Sequence, residues 1–186
     1  MKKILVVVDM QNDFVTGSLG SPQAQAIVPA VKAKIDAAVK EGSLIVFTRD
    51  THDEGYLDTQ EGKNLPVPHC IINTEGHQII KELVFSTLAG INSFVYDKPT
   101  FGSLDFADLC KWCSQTEDVK EIEFVGLCTD ICVVSNALIM KAMLPEMLIT
   151  VDAACCAGVT EESHKAALLT MKMCQVNVIN EDEPVA

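Results

Sequence analysis

Glu121-Ile122-Glu123-Phe124-Val125-Gly126-Leu127-Cys128-Thr129-Asp130-Ile131-Cys132-Val133 reads as an apolar strand that runs into a turn and then a helix, with Cys132 in the helix's first turn. The first backbone N–H groups of a helix have no partner within it and carry partial positive charge, so a cysteine there is biased toward the nucleophilic thiolate. The same pattern also fits a buried thiol on an amphipathic helix. The rest of the chain has to choose between the two.

Working outward, five more short apolar runs have strand character: Ile4 to Val8, Leu44 to Thr48, Ser93 to Asp97, Leu148 to Asp152 and Val176 to Ile179. Helical periodicity fills most of the gaps between them. Ile27 to Glu41 is apolar at Ile27, Val28, Val31, Ile35, Ala38 and Val39 and stops at Gly42, and similar patterns cover Leu104 to Cys113, Asp130 to Met143 and Glu161 to Met173. Strands alternating with helices predict a doubly wound α/β fold, a six-stranded parallel sheet with helices on both faces. There is no internal repeat. Arg49 to Gly76 lacks clear periodicity, and a loop of that length in a compact domain is usually functional. The acidic end from Glu181 to Ala186 reads as a frayed tail.

The bulk numbers fit one domain over residues 1–186. The chain is 48% hydrophobic and 22% charged, with a mean hydropathy of +0.23, which suits several fully buried strands. A formal charge of -12 argues against nucleic acid or an anionic membrane surface as a partner, since neither would be attracted to this field. Met1-Lys2-Lys3 followed by Ile4 to Val8 imitates a signal peptide, but the apolar run stops at Asp9, so a cytoplasmic location is expected. With eight cysteines in a chain of this size, reduced thiols are expected rather than a disulfide framework. Cys110-Lys111-Trp112-Cys113 has redox spacing but lies in a helical pattern, which favours a structural reading, and Cys155-Cys156 add no signal.

In open α/β sheets ligands sit beyond the carboxyl ends of the strands. Asp9 ends the first strand, Asp50 and His52 follow the second, Lys98 the third, and Cys132 the fourth. Cys132, Asp9 and Lys98 then offer a nucleophile, a proton acceptor and a cation that favours the thiolate. Each also has a plain structural reading, Asp9 as a strand-end carboxylate on local amides and Lys98 as a solvated lysine before Pro99. A carboxylate with two imidazoles, Asp50, His52 and His69, suits zinc, manganese or iron with positions left open. Gly-x-Ser-x-Gly, P-loop and Gly-x-Gly-x-x-Gly signatures are missing from the sequence.

Five ordered motifs span nearly the whole chain: Val8-Asp9-Met10-Gln11-Asn12-Asp13-Phe14, Thr48-Arg49-Asp50-Thr51-His52, Pro68-His69-Cys70, Lys98-Pro99-Thr100-Phe101-Gly102-Ser103, and Gly126-Leu127-Cys128-Thr129-Asp130-Ile131-Cys132-Val133. Together they resemble the isochorismatase-like cysteine hydrolases, nearest to the nicotinamidases. The resemblance implies a sheet order of 3-2-1-4-5-6, with Asp9, Lys98 and Cys132 as catalytic triad. It also implies a cis peptide before Cys128 and an oxyanion hole made by the backbone amides of Cys128 and Cys132.

By the same resemblance Asp50, His52 and His69 hold one divalent transition metal, zinc before manganese or iron, with Glu61 or the nearby Glu54 as a fourth ligand. Phe14, Leu65 and Phe101 would wall the substrate pocket, Leu65 standing where nicotinamidases usually carry an aromatic residue. The activity implied is a metal-assisted conversion of nicotinamide to nicotinate plus ammonia through a thioester, in a homo-oligomer that serves NAD salvage. Two readings compete: the same triad acting on another small amide or carbamoyl compound, and a non-enzymatic thiol-redox protein on the same fold. His77 and His164 fall in no motif and read as surface or helix residues, and Cys128 reads as structural.

Overall fold

Ile4 through Val8 are each wholly inaccessible to solvent, which is what a central strand covered on both faces requires. The computed structural model describes residues 2–84, 92–116 and 118–181. Its six strands are β1 (Lys2–Val8), β2 (Leu44–Asp50), β3 (Ser93–Lys98), β4 (Val119–Leu127), β5 (Leu148–Ala157) and β6 (Asn177–Ile179). They form one parallel sheet in the order β3-β2-β1-β4-β5-β6, the order expected from the resemblance. The helices are α1 (Asn12–Val15), α2 (Pro22–Ala26), α3 (Val28–Lys40), α4 (Gln60–Asn64), α5 (Lys81–Val84), α6 (Leu104–Thr116), α7 (Val134–Met143) and α8 (Glu161–Met173).

Alternate residues of β1 divide the core. Ile4, Val6 and Val8 pack with Phe106 and Cys110 of α6, Ala137 and Met140 of α7, and Leu168 and Met171 of α8. Leu5 and Val7 pack on the other face with Val31, Ile35 and Ala38 of α3 and Leu83 of α5. The period of two along the strand therefore feeds two apolar layers at once. Lys34 ties α3 to the sheet, its ammonium reaching Glu123 at 2.8 Å on β4 and Asp152 at 2.5 Å on β5.

Most departures from the sequence reading concern element ends. β2 and β3 extend far enough that Asp50 and Lys98 are their last residues rather than the ones that follow. β5 continues five residues beyond Asp152 to Ala157, with its register against β4 interrupted between Phe124 and Gly126. The segment 49–76 is not wholly irregular, because it contains a 3-10 turn at Tyr56–Asp58 and helix α4. Gln60-Glu61-Gly62-Lys63-Asn64 is polar throughout and offers no periodic signal. Of the acidic end only Glu181 is described, and its carboxylate bonds Lys172 Nζ at 2.8 Å, so that residue is held; 182–186 lie outside the described residues.

The chain leaves β1 toward β2 and β3 and returns to the other side of β1 as β4, so the connections leaving the carboxyl ends of these two paired strands diverge. That divergence opens the crevice in which such sheets carry their ligands.

Candidate active site and metal centre

The end of β1 delivers Asp9, which adopts a left-handed backbone with φ of 48°. Its N–H donates to the Thr48 carbonyl at 3.2 Å, and its Oδ1 accepts the Thr48 hydroxyl at 2.7 Å. Oδ2 lies 2.7 Å from Lys98 Nζ, and both side chains are fully buried. Lys98 Nζ also donates to Cys132 Sγ at 3.4 Å and to the Thr100 carbonyl at 3.2 Å. Three residues carried by β1, β3 and the turn after β4 thus meet in one contact set.

The electrostatics differ from the sequence reading in one respect. Burial, and then the negative charge of Asp9, push the Cys132 thiol well up, against the pull of Lys98. Burial and Asp9 thus oppose the thiolate that the helix start and the ammonium would favour. Burial also raises the Asp9 carboxyl despite Lys98, which makes it a better proton acceptor than a solvated aspartate. Burial works against the Lys98 ammonium, but Asp9, Cys132 and Asp50 outweigh it and hold the charge firmly.

Cys132 sits in a single π-type turn, Thr129–Val133, between β4 and α7, so the helix expected from Asp130 begins in regular form only at Val134. The Leu127–Cys128 peptide is cis. The Cys128 carbonyl accepts the N–H groups of Ile131 at 3.1 Å and Val133 at 3.0 Å, the residues on either side of the nucleophile candidate. Irregular turns of this kind often mark functional positions.

Beside this trio lies a second cluster. The ligating atoms of Asp50, His52, Glu61 and His69 all lie within 4.8 Å of one another. Asp50 Oδ2 is 2.9 Å from His52 Nε2 and 3.4 Å from His69 Nε2, while Glu61 Oε1 is 3.5 and 3.7 Å from the same two nitrogens. Ligands each about 2.0–2.1 Å from one tetrahedral zinc stand about 3.3 Å apart, so the set fits a single ion. His69 Nδ1 donates to the Val67 carbonyl at 2.8 Å, which turns Nε2 toward Asp50 and Glu61 as the atom that would ligate an ion once it gives up its proton. Hydrogen bonds from the two histidines and the charge of Lys98 hold the Asp50 carboxyl low against its burial. Glu54, the alternative fourth ligand, is not in the cluster.

Both clusters open onto one cleft of about 800 Å³, lined by Cys128 and Cys132, by Asp50, Glu61 and His69, and by Phe14, Leu65 and Phe101 among others. All three residues expected at the pocket wall are therefore on it.

Residues 3–183 match the isochorismatase domain. The chain belongs to the isochorismatase family. It is 29% identical over 175 residues to the uncharacterized isochorismatase family protein PncA of Bacillus subtilis, covering 90% of this chain and 93% of that one. Among solved structures, pyrazinamidase/nicotinamidase from Streptococcus mutans superposes with a TM-score of 0.84 at 28% identity, covering 96% of this chain and 100% of that one. Pyrazinamidase of Pyrococcus horikoshii in complex with zinc gives 0.77 at 27% identity over 97% and 99% of the two chains.

Several supports of this isochorismatase-family site go beyond the sequence reading. Gln11 clamps the end of β2, its amide donating to the Asp50 carbonyl at 2.9 Å and accepting the Asp50 N–H at 2.8 Å. Asp13 Oδ2 accepts the Cys70 N–H at 2.8 Å, fixing the chain next to His69. Tyr56 packs its ring 4.7 Å from His52 and 4.9 Å from His69 and donates its hydroxyl to the Leu65 carbonyl. Gln11 and Asp13 stand inside a quoted motif, yet nothing in the residue types shows what they bond. His77 is a correction: it is neither on the surface nor in a helix but buried in a turn against the Thr51 hydroxyl at 2.9 Å. His164 does lie on α8, with Nδ1 2.8 Å from the Thr129 hydroxyl. Cys110 and Cys113 are buried residues of α6.

Proposed function

We propose that this chain, read as one hydrolase domain over residues 1–186, is an amidohydrolase that converts nicotinamide to nicotinate and ammonia. The observation that carries the reading is the meeting of two sets in one cleft. Asp9, Lys98 and Cys132 lie within 3.4 Å contacts of one another through Lys98, and the Asp50, His52, Glu61 and His69 cluster opens onto the same space. Relatives named for nicotinamide and pyrazinamide hydrolysis support the substrate.

In this mechanism Asp9 takes the Cys132 proton as the thiol attacks the amide carbonyl, and Lys98 holds the sulfur and carboxylate charges together. The backbone amides of Cys128 and Cys132 receive the tetrahedral oxyanion; one such donor typically lowers a barrier by about 3 to 4 kcal/mol. Asp9 returns the proton to the leaving nitrogen, ammonia departs, and a Cys132 thioester remains. A water that gives its proton to Asp9 attacks the thioester, and nicotinate leaves as the thiol is restored.

A divalent transition ion, zinc first and manganese or iron otherwise, would be held by Asp50, His52, His69 and Glu61, and when bound would supply a Lewis-acid contact for the pyridine nitrogen that orients the ring. Phe14, Leu65 and Phe101 wall the ring. The same reading places the enzyme in the cytoplasm as a homo-oligomer whose nicotinate returns to NAD, with no nucleic-acid or membrane partner. Among the described residues no helix is long and apolar enough to cross a membrane.

A second reading is favoured by one observation: Leu65, 39% exposed on the cleft wall, provides no aromatic face. The same triad would then act on another small amide or carbamoyl compound. Ammonia release measured across nicotinamide, pyrazinamide and aliphatic and carbamoyl amides, with and without zinc, separates the two. Nicotinamide is expected to lead, and Cys132→Ala to lose turnover on the order of a thousandfold or more. Strong turnover of a carbamoyl compound with none of nicotinamide would overturn the substrate, and a fully active Cys132→Ala the mechanism.

A further inference from the structure

Asn136 is the polar exception on the inner face of α7. It is 1% exposed, and an amide so placed costs free energy unless its donors and acceptor are matched. Three partners match them. Its Nδ2 donates to the Cys132 carbonyl at 2.8 Å and to the Phe101 carbonyl at 2.9 Å, and its Oδ1 accepts the Ser103 N–H at 3.1 Å. Two carbonyls on one side and an N–H on the other also fix which way the amide faces.

These partners belong to two different pieces of the site. One is the turn that carries Cys132. The other is the 99–103 loop that follows Lys98, whose ammonium bonds the Thr100 carbonyl and whose Phe101 lines the cleft. That loop lies tightly on α7: a Cβ at Gly102 would stand 2.7 Å from Ile139 Cδ1 and 3.0 Å from Ser135 Cβ.

We infer that Asn136 is a positioning residue that locks the nucleophile turn to the 99–103 loop, so that Cys132 and the Phe101 wall keep one register. The inference rests on the cysteine-hydrolase reading above and assigns Asn136 no contact with substrate. Its two links are separable. Asn136→Ala removes both, whereas Asn136→Thr keeps a hydroxyl able to donate to the carbonyl four residues earlier, Cys132, but has no reach to Phe101 and Ser103.

The test measures kcat and KM for nicotinamide on the full chain, at a temperature well below each variant's melting point. The Thr variant is expected to raise KM severalfold with kcat near wild type, since only the loop is released. The Ala variant is expected to lower kcat as well, on the order of tenfold to a hundredfold, the scale of a small misplacement of reacting groups. A residue that only filled space would lower the melting temperatures and leave both constants untouched. If both variants, or the Thr variant alone where Ala does not fold, keep kcat and KM within about twofold of wild type, the inference is wrong.

Alkylation of Cys132 by iodoacetamide, followed by peptide mass spectrometry, needs no amide. The expected result is slower labelling in Ala and wild-type labelling in Thr. That pattern in a protein inactive on nicotinamide would refute the substrate while upholding the role of Asn136; equal labelling in all three proteins would count against it.

Discussion

At Asp9 burial and pairing pull in opposite directions. Loss of solvent raises its carboxyl, and Lys98 at 2.7 Å and the Thr48 hydroxyl lower it, with burial the larger effect. An acceptor must be ionised before it can take the thiol proton, so turnover is present above the Asp9 pKa and lost as pH falls through it. The acid limb of kcat/KM should therefore lie above the ordinary aspartate value of about 3.9. Asp9→Asn should lose about a hundredfold to ten-thousandfold in kcat with its circular dichroism unchanged. A kcat/KM that stays flat down to pH 4 would remove Asp9 as the base. The candidate catalytic residues were legible because they stand at or just beyond the ends of strand-like runs, as Asp9 does after Val8. Those that hold them were not. Gln11 and Asp50 are 39 positions apart, and their paired bonds exist only once β1 and β2 are in register. Asn136 in an apolar helix reads as a flaw until the loop it bonds is folded onto it.

Among the elements, β4 and the turn after it bring Cys132 to the crevice, and Gly126 makes the approach of β4 to β1 possible. Its φ is +112°, and a Cβ there would stand 2.2 Å from the Val8 carbonyl oxygen, a backbone atom that cannot swing aside. Gly126→Ala combines a disfavoured dihedral with this clash, and should cost about 2 kcal/mol or more in urea unfolding. It should also lower kcat, because Val8 precedes Asp9. An alanine variant with wild-type stability would mean that the two strands part easily. Strand and helix identities were readable from period and composition, since six apolar runs and four amphipathic ones leave little choice. Their ends were less so: β2 and β3 continue through Asp50 and Lys98, charged residues that end a strand on polarity alone but are buried here by one another, 3.6 Å apart. The π-type turn at Thr129–Val133 has no periodic signature, and α4 was hidden by being polar throughout.

Across the whole molecule, the crevice between β1 and β4 joins two charge sets in which three carboxyl groups, Asp9, Asp50 and Glu61, share the one ammonium of Lys98. Asp50 and Glu61 face the same pair of imidazoles, and burial together with the nearby Asp50 raises the Glu61 carboxyl, the mark of acidic groups brought close without enough positive charge. A divalent cation relieves that crowding in the folded state and finds no such set in the unfolded chain, so it should stabilise by mass action. At a hundredfold excess over the dissociation constant the gain is about 2.7 kcal/mol, which for a chain of this length corresponds to a rise of about 5–10 °C in Tm. Protein stripped with a chelator should melt lower and release little ammonia from nicotinamide, and zinc should restore both. His69→Ala, whose ring touches Asp50 and Glu61, should fold yet show no zinc-dependent rise. Because melting requires no substrate, the site is tested apart from the reaction: an equal rise in wild type and variant would place zinc elsewhere, and no rise in wild type would leave the four residues as a hydrogen-bonded cluster.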